Sequence, residues 1–176
     1  IQNGQFIASG VDGKMYYGLV DRPDSFYAAQ SFMWQWNRSI AFHDYGGIIV
    51  SGASQSYGYV QHVEHMGGYI SSDTLDFEPR KVALFFNQDI YITGYGAIIK
   101  STDFGKNWIY TDASGDFFTD ITYHRPTATW WTCGYNGSIL ISKDNGMHWE
   151  HYRNGNQILA KRYRLKSIIA VGDYVY

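Results

Sequence analysis

The chain has 176 residues, and its 14 Lys and Arg against 16 Asp and Glu leave a formal net charge of −2. Nucleic-acid binding and attachment to an anionic membrane both need a basic face, so this balance excludes nucleic acid as an expected partner. With 18% aromatic and 17% charged residues the composition is that of a globular protein, and no apolar run is long enough for membrane insertion.

A repeat of about forty residues organises the sequence. Four runs of bulky and then small residues each end in a glycine, and these glycines are 42, 42 and 40 residues apart: Gly10, Gly52, Gly94 and Gly134. The runs are rich in β-branched and aromatic residues, and Gly, Asn, Asp and Ser separate them. Four short strands per repeat of this length are typical of a β-propeller blade. The sequence therefore predicts an all-β fold, a β-propeller with four-stranded blades and about four repeats of roughly 42 residues.

We name the strands of each predicted blade A to D, where B ends in the glycine of the repeat. The first unit has strand B at residues 5–9 and strand C at residues 13–17. Between this unit and the next, Trp34 and Trp36 lie two residues apart, which places both on one face of a strand. Large aromatic side chains are usually buried, so we expect these tryptophans to pack between blades.

The second unit is irregular. After strand B at residues 49–52, residues 53–67 look like an insertion that delays strand C until Gly68. A loop that interrupts a repeat often carries function, because the scaffold does not need it. Its aromatic and polar side chains suit a glycan or protein surface, and we predict these ligand-binding residues: Tyr57, Tyr59, His62 and His65. The alternative is an extension that packs on an adjacent blade or subunit.

The same segment does not predict a metal site. His62 and His65 flank Glu64, but positions three apart on a strand point to opposite faces. No glycine-rich loop precedes a helix, so nucleotide chemistry has no support in the sequence. We predict no cofactor. Cys133, the single cysteine, occupies a small-residue position of strand B, where a packing role is expected rather than a nucleophilic one.

The third and fourth units share the pattern Ser-x-Asp-x-Gly-x-x-Trp directly after strand C. The matching residues are Ser101, Asp103, Gly105 and Trp108 in one unit and Ser142, Asp144, Gly146 and Trp149 in the other. The pattern resembles the Asp-box, the bacterial neuraminidase repeat of sialidase-type β-propellers. The terse repeats are most similar to those of phage-tail, bacterial surface and photosystem-assembly propeller proteins.

Physical chemistry gives this pattern a structural role in the turn between strands C and D. The aspartate accepts backbone N–H groups, the glycine adopts a positive φ, and the tryptophan packs between sheets. Residues 71–77 look like an eroded copy, and residues 21–26 replace the pattern in the first unit. The resemblance implies that these turns lie opposite the usual binding face, so we predict no catalytic residue among them.

The chain begins within one strand B and stops within another, at residues 173–176. This favours a single β-propeller domain spanning residues 1–176 that is an excerpt of a larger ring, with both ends cut within a blade. Assembly with further blades or subunits is expected to complete the ring. The alternative is a closed ring of four blades, the low end of the known range. Residues 157–165 are the segment where a helical turn is most compatible with the sequence.

Three functions remain open. The favoured one is a non-catalytic recognition or assembly module that binds a glycan or protein partner, by resemblance at the cell surface, extracellularly or on a virion. The second is a glycoside hydrolase of the sialidase or xyloglucanase type, which needs two facing carboxyl groups. Its candidates outside the shared turns are Asp44, Glu64, Glu78, Asp112, Asp116 and Asp120. The third is a purely structural propeller.

Overall fold

The computed structural model describes residues 4–29, 36–43, 46–64, 68–86, 89–153 and 163–176. Within these ranges the regular structure consists of β-strands and two short 3-10 turns, Val11–Gly13 and Arg125–Thr127, with no α-helix. None of the helical segments in this part of the chain has the length and apolar character needed to cross a bilayer. The predicted all-β class is therefore confirmed.

The chain divides into two compact units, Ile1–Gln88 and Asp89–Tyr176. The described residues of the first unit form eight strands: β1 Gln5–Ser9, β2 Met15–Leu19, β3 Arg22–Ala29, β4 Asn37–His43, β5 Gly46–Ser54, β6 Tyr57–Val63, β7 Tyr69–Leu75 and β8 Pro79–Phe85. Strands β1 to β3 form a three-stranded antiparallel sheet, and β4 to β7 form a four-stranded one in sequential order. This order is the up-and-down meander expected of a propeller blade.

An apolar core joins the sheets of the first unit. Ile7 and Met15 from the first sheet are buried with Ile49 and Val63 from the second. Strand β8 packs against β4 and β5. Strands β6 and β8 approach so closely that a Cβ on Gly58 would lie 2.1 Å from Cδ of Pro79. The absence of a side chain at Gly58 is thus what permits this packing.

In the second unit, residues 89–153 and 163–176 form nine strands: β9 Asp89–Gly94, β10 Ile98–Ser101, β11 Ile109–Tyr110, β12 Phe118–His124, β13 Thr129–Gly134, β14 Ile139–Ser142, β15 Glu150–Arg153, β16 Ala170–Val171 and β17 Tyr174–Val175. Strands β9 to β11 pair in sequential order, β12 to β15 form a four-stranded antiparallel sheet, and β16 pairs with β17. Strand β9 packs against β12. Trp130 of the adjacent strand β13 is fully buried, and its ring centroid lies 4.2 Å from that of Tyr91 in β9. Contact between buried aromatic residues of neighbouring sheets explains how so short a repeat acquires a core.

The predicted insertion at residues 53–67 is wrong. Strand β5 continues to Ser54, a two-residue turn follows, and β6 occupies Tyr57–Val63 as strand C of its sheet. The segment beginning at Gly68 leads into β7, which is strand D, so the eroded motif at residues 71–77 lies largely within a strand instead of a turn. The β-branched and aromatic residues of 57–63 outweigh the glycine that marks strand C elsewhere.

The expectation that Trp36 packs between blades is also wrong, because its side chain is 50% exposed. The guanidinium of Arg38 lies 4.9 Å above its ring, which gives the indole face a cationic neighbour instead of an apolar one. Trp34 lies outside the described residues, as does most of the segment 157–165.

Candidate functional site

Two turns in the second unit present a tyrosine at the same place in the repeat. Tyr95 follows the glycine that ends β9, and Tyr135 follows the glycine that ends β13. Each turn closes through a backbone hydrogen bond, from Gly94 to Ala97 at 3.1 Å and from Gly134 to Ser138 at 2.9 Å. We call the surface formed by residues 95–97, 116–117 and 135–138 the loop face.

Three aromatic rings run across the loop face. The ring centroids of Tyr95 and Phe117 are 5.9 Å apart, and those of Phe117 and Tyr135 are 6.3 Å apart. The side chain of Tyr95 is 43% exposed, while Phe117 and Tyr135 are half-buried. We call these three residues the aromatic strip. Aromatic side chains that combine a fixed position with an accessible face are typical of protein interfaces.

A guanidinium group ends the strip. Arg164 Nη1 donates to the hydroxyl of Tyr135 at 2.6 Å, and its Cζ lies 4.8 Å from the ring centroid. On the other side of the same turn, Arg153 Nε donates to the carbonyl of Gly137 at 3.2 Å. The Nη2 of Arg153 is buried and has no hydrogen-bond partner among the described residues. The turn that carries Tyr135 is thus flanked by two cations.

Backbone hydrogen bonds hold the strip in place from below. Tyr95 and Phe117 form an antiparallel bridge, and Gly96 donates to the carbonyl of Asp116 at 2.9 Å. Tyr135 donates its N–H to the carbonyl of Phe117 at 2.9 Å. Because each ring is borne on backbone that pairs with the next, the three rings are ordered before any partner arrives.

The buried carboxylate of Asp116 organises the turn beneath the strip. Its Oδ1 accepts the N–H groups of Phe117 at 2.6 Å and Asn136 at 2.9 Å, and its Oδ2 accepts that of Ser138 at 3.1 Å. The residue is 6% exposed. A Cβ on Gly134 would lie 2.3 Å from this carboxylate, so the glycine makes room for it. Asp116 therefore has a structural role in the site.

The two Ser-x-Asp-x-Gly-x-x-Trp turns lie at the opposite ends of β10 and β14 from the loop face. In the first, the Ser101 hydroxyl donates to Asp103 Oδ1 at 2.8 Å and accepts the N–H of Gly105 at 2.8 Å. The carboxylate also accepts the N–H of Asn107 at 2.9 Å and its side-chain amide at 2.7 Å. These bonds, led by that from the Asn107 side chain, lower the pKa of Asp103 to about 2.

The second turn repeats this pattern with a histidine in place of the asparagine. Ser142 donates to Asp144 at 2.8 Å, and Asp144 accepts the backbone N–H of His148 at 2.9 Å and pairs with its imidazole. Desolvation raises the pKa of Asp144, but the hydrogen bonds from His148 and Ser142 outweigh it and hold this pKa well below its usual range. Conversely, the hydrogen bond to Asp144 raises the pKa of the His148 imidazole above 6.5.

The second turn also connects neighbouring sheets. The main-chain carbonyl of Asn145 accepts the hydroxyl of Tyr91 at 2.8 Å and the ammonium of Lys100 at 3.0 Å. Its side chain accepts the indole N–H of Trp130 at 3.2 Å and donates to Asp89 at 3.0 Å. This turn thus fastens the β12–β15 sheet to the β9–β11 sheet, which is a structural function.

The ligand-binding residues predicted from sequence do not all come together. Tyr57 and Tyr59 lie on one face of β6, with their rings edge to face at 6.1 Å and Tyr57 40% exposed. Since side chains alternate along a strand, His62 lies on the other face. His65 lies outside the described residues. The structure therefore pairs the two tyrosines and separates them from His62.

Most of the carboxylates considered for a hydrolase have structural partners. Asp112 accepts the N–H of Trp149 at 2.8 Å, and Glu78 pairs with Arg38 at 2.5 Å. Asp120 accepts the N–H of Ile121 at 3.0 Å and the hydroxyl of Ser167 at 2.5 Å. Glu64 is exposed, and Asp44 lies outside the described residues. Asp112, Asp116 and Asp120 thus all accept backbone N–H groups.

The remaining candidates for chemistry are metal-binding clusters and the thiol of Cys133. The described residues contain no cluster of three or more His, Cys, Asp or Glu side chains arranged to hold a metal ion. Cys133 is 1% exposed, and burial raises the pKa of its thiol to about 11. The thiol is therefore protonated at neutral pH, when it is a weak nucleophile.

The sequence analysis did not predict the aromatic strip, because its three residues lie in separate segments of the chain. A signal was present: a tyrosine directly follows the repeat glycine in both the third and fourth units. A large aromatic residue in a turn that needs only small residues is unusual, and its recurrence at the same position marks a surface.

No family model matches the chain, and no curated protein matches it. Solved structures do. The structure of YCF48 bound to D1 peptide superposes with a TM-score of 0.64 at 15% identity, over 96% of this chain and 54% of that one. The crystal structure of Chaetomium thermophilum Raptor superposes with a TM-score of 0.69 at 8% identity, over 95% of this chain and 16% of that one.

This chain thus spans about half the length of the YCF48 structure and a smaller share of Raptor. At such low identities the likeness shows the fold. Together with the four-stranded antiparallel sheets, it confirms the predicted β-propeller class.

Proposed function

We propose that this chain is a recognition or assembly module that holds a protein or peptide partner on its loop face. The observation that carries the proposal is the aromatic strip, in which Tyr95, Phe117 and Tyr135 stand in line with Arg164 at one end. Rigid aromatic residues and an arginine are the side chains that most often dominate binding energy at interfaces.

The charges beside the strip indicate what the partner brings. Arg164 is exposed, and Arg153 has a buried N–H without a partner among the described residues. The carboxylate of Asp116 beneath the strip already accepts three backbone N–H groups. A segment with an apolar side chain for the rings and a carboxylate for the arginines is therefore the complementary surface.

A solved structure of similar fold supports a peptide as the partner. YCF48 was solved with a D1 peptide, so a propeller of similar fold is known to hold a peptide. We extend this mode to the present chain because its loop face supplies aromatic and cationic groups. We further propose that the Ser-x-Asp-x-Gly-x-x-Trp turns are Asp-box repeats, since their serine and aspartate make the same turn contacts in both copies.

A displayed random-peptide library tests the proposal, because it samples many side-chain combinations without assuming a particular partner. Peptides selected on the purified chain are measured against the variants Tyr95→Ala and Arg164→Ala. Loss of the exposed Tyr95 ring or of the Arg164 guanidinium is expected to weaken binding by about ten-fold or more. Peptides enriched in an apolar residue beside Asp, Glu or a free carboxylate are the expected selection.

Matched controls exist on the outer strand and on the opposite turn. Tyr110→Ala removes a tyrosine of similar exposure from β11, and Lys106→Ala removes a cation from a Ser-x-Asp turn. Both are expected to leave peptide affinity within about two-fold, as is usual for residues outside an interface. Peptides that bind all four variants equally would contradict the site. Selective binding on a glycan array, with no peptide selected, would favour a glycan partner instead.

A further inference from the structure

A cleft in the Asp89–Tyr176 unit is lined by residues other than those of the loop face. This cleft of about 390 Å³ opens between the β12–β15 sheet and the hairpin of β16 and β17. Residues of both walls line it, chiefly His124, Trp131, Tyr152, Asp173, Tyr174 and Tyr176. A volume of this size accommodates a small molecule or a long side chain.

The two walls of the cleft are fastened to each other. Asp120 of β12 accepts the hydroxyl of Ser167 at 2.5 Å and the N–H of Ile168 at 3.2 Å. Ala170 donates its N–H to the hydroxyl of Thr122 at 3.3 Å. Because these bonds lie just before and within the hairpin, the cleft keeps its width and is largely pre-formed.

Aromatic rings supply most of the cleft's surface. Trp131 and Tyr152 meet edge to face with centroids 5.0 Å apart, and Tyr174 and Tyr176 lie 6.2 Å apart on the other wall. The three tyrosines are each about two-thirds exposed. The indole N–H of Trp131 already donates to Thr129 at 2.9 Å, so this ring offers the cleft a π surface and no free donor.

The polar groups of the cleft accept rather than repel a cation. Asp173 contributes a carboxylate, and no lysine or arginine is among the described residues that line the cleft. His124 is 5% exposed and its Nε2 has no partner among the described residues. Its Nδ1 lies 2.6 Å from the hydroxyl of Thr127, and when Nδ1 is the donor in that pair, Nε2 is a free acceptor.

We propose that this cleft binds an organic cation, an alkylammonium or guanidinium group. Rings with negative faces and a carboxylate are together the groups that recognise such a cation. The carboxylate of Asp173 would repel an anion. An apolar guest would make no polar contact with Asp173 or His124. The inference rests on groups other than the aromatic strip and does not depend on the proposed function.

Titration with small guanidinium compounds tests the proposal. The probes are methylguanidinium, Nα-acetyl-arginine amide and its uncharged near-isostere Nα-acetyl-citrulline amide, and the readout is the Trp131 indole resonance in an ¹⁵N-labelled chain. We expect saturable shifts with both cations and binding of the citrulline compound weaker by about five-fold or more, the range of a cation–π and ion-pair contribution. Tighter binding of the arginine compound than of methylguanidinium would indicate a side chain as the natural source.

Variants assign the effect to the cleft. Asp173→Asn keeps the shape and removes the charge, and Tyr174→Ala removes one exposed ring; each is expected to weaken the cation about three- to ten-fold. Asp12→Asn and Tyr163→Ala are exposed controls outside the cleft and are expected to change nothing. Near-ultraviolet circular dichroism of each variant confirms that the fold is retained.

Three results would overturn the proposal. One is equal binding of the citrulline and arginine compounds, which would mean that charge is not recognised. Another is an unchanged affinity in Asp173→Asn. The third is the absence of saturable shifts together with a dimeric mass by sedimentation, which would assign the cleft to contact between copies of the chain.

Discussion

The hydroxyl of Tyr91 donates to the main-chain carbonyl of Asn145 at 2.8 Å, across 54 residues of sequence. This bond joins a buried tyrosine of β9 to the Ser-x-Asp turn that follows β14. Burial and the nearby charges of Asp89 and Asp144 raise the pKa of Tyr91 far above its usual range, so the phenol stays protonated and remains a donor.

Removing this hydroxyl tests how much the bond contributes to stability. Tyr91→Phe keeps the ring packed against Trp130 and deletes the donor, while Lys100 still donates to the carbonyl of Asn145. We expect a loss of about 1 kcal/mol in the free energy of unfolding, measured by urea denaturation. Tyr163→Phe, at an exposed tyrosine, should cause no measurable loss. Equal effects of the two variants would contradict a role for the bond.

Two glycines with similar backbone angles separate conformational strain from packing. Gly146 has φ of +78° and its Cβ would lie 2.5 Å from the ring of Tyr91, whereas Gly96 has φ of +72° and open space around it. Gly96→Ala should cost about 1 kcal/mol for the left-handed backbone alone. Gly146→Ala adds a clash with a buried ring and should cost about 2 to 4 kcal/mol.

Thermal or urea unfolding of both alanine variants provides the comparison. Because the backbone contribution is nearly the same at the two positions, the difference between them isolates the contact with Tyr91. The double variant Tyr91→Ala with Gly146→Ala should recover part of the second loss. Identical costs at Gly96 and Gly146 would show that the ring moves aside freely.

Sequence alone predicted the repeat and the strand-rich fold because both depend on local patterns. Each unit contains its own repeat glycine and its own β-forming runs, and the intervals of 40 to 42 residues between the glycines are visible in the sequence. Where the glycine marker moved, as at Gly68, the prediction placed strand C one strand too late. The β-branched and aromatic residues of β6 indicate a strand, but the prediction relied on the glycine that opens strand C in the other units.

The aromatic strip could not be derived in this way. Its three members come from two turns and a strand start, and their rings meet only because Asp116 and Phe117 pair with residues of two different turns. Such pairings link positions 18 to 22 residues apart, and turn residues carry no periodicity that would reveal them. His62 illustrates the converse, since alternation along β6 already separates it from Tyr57 and Tyr59.

The carboxylate of Asp116 offers a direct test of the frame beneath the strip. Asp116→Asn keeps the volume but replaces one acceptor oxygen with an NH₂ donor, which leaves at least one of three N–H groups without its partner. We expect a loss of about 1 to 3 kcal/mol in stability. Amide hydrogen exchange should accelerate at Asn136 or Ser138, and Asp12→Asn serves as the exposed control.

The pairing of His148 with Asp144 predicts a pH dependence of known sign. The hydrogen bond and charge of Asp144 raise the pKa of His148 above 6.5, so its stabilising contribution is fully present below pH 6.5 and is lost as pH rises through the raised value. The depressed pKa of Asp144 acts in the opposite sense, since its contribution is present above pH 3.8 and is lost as pH falls through the lowered value. The pair is therefore complete between these limits.

An NMR titration of the His148 ring resonances measures this directly. We expect a midpoint above 6.5 in the native chain and a midpoint closer to 6.5 in Asp144→Asn, where the anionic partner is gone. His148→Asn converts this turn to the arrangement of Asp103 with Asn107, in which the hydrogen bonds to the carboxylate do not depend on a titrating imidazole. The contribution of this turn to stability should then be constant near neutral pH. A native His148 midpoint at or below 6.5 would mean that the imidazole and Asp144 do not pair in solution.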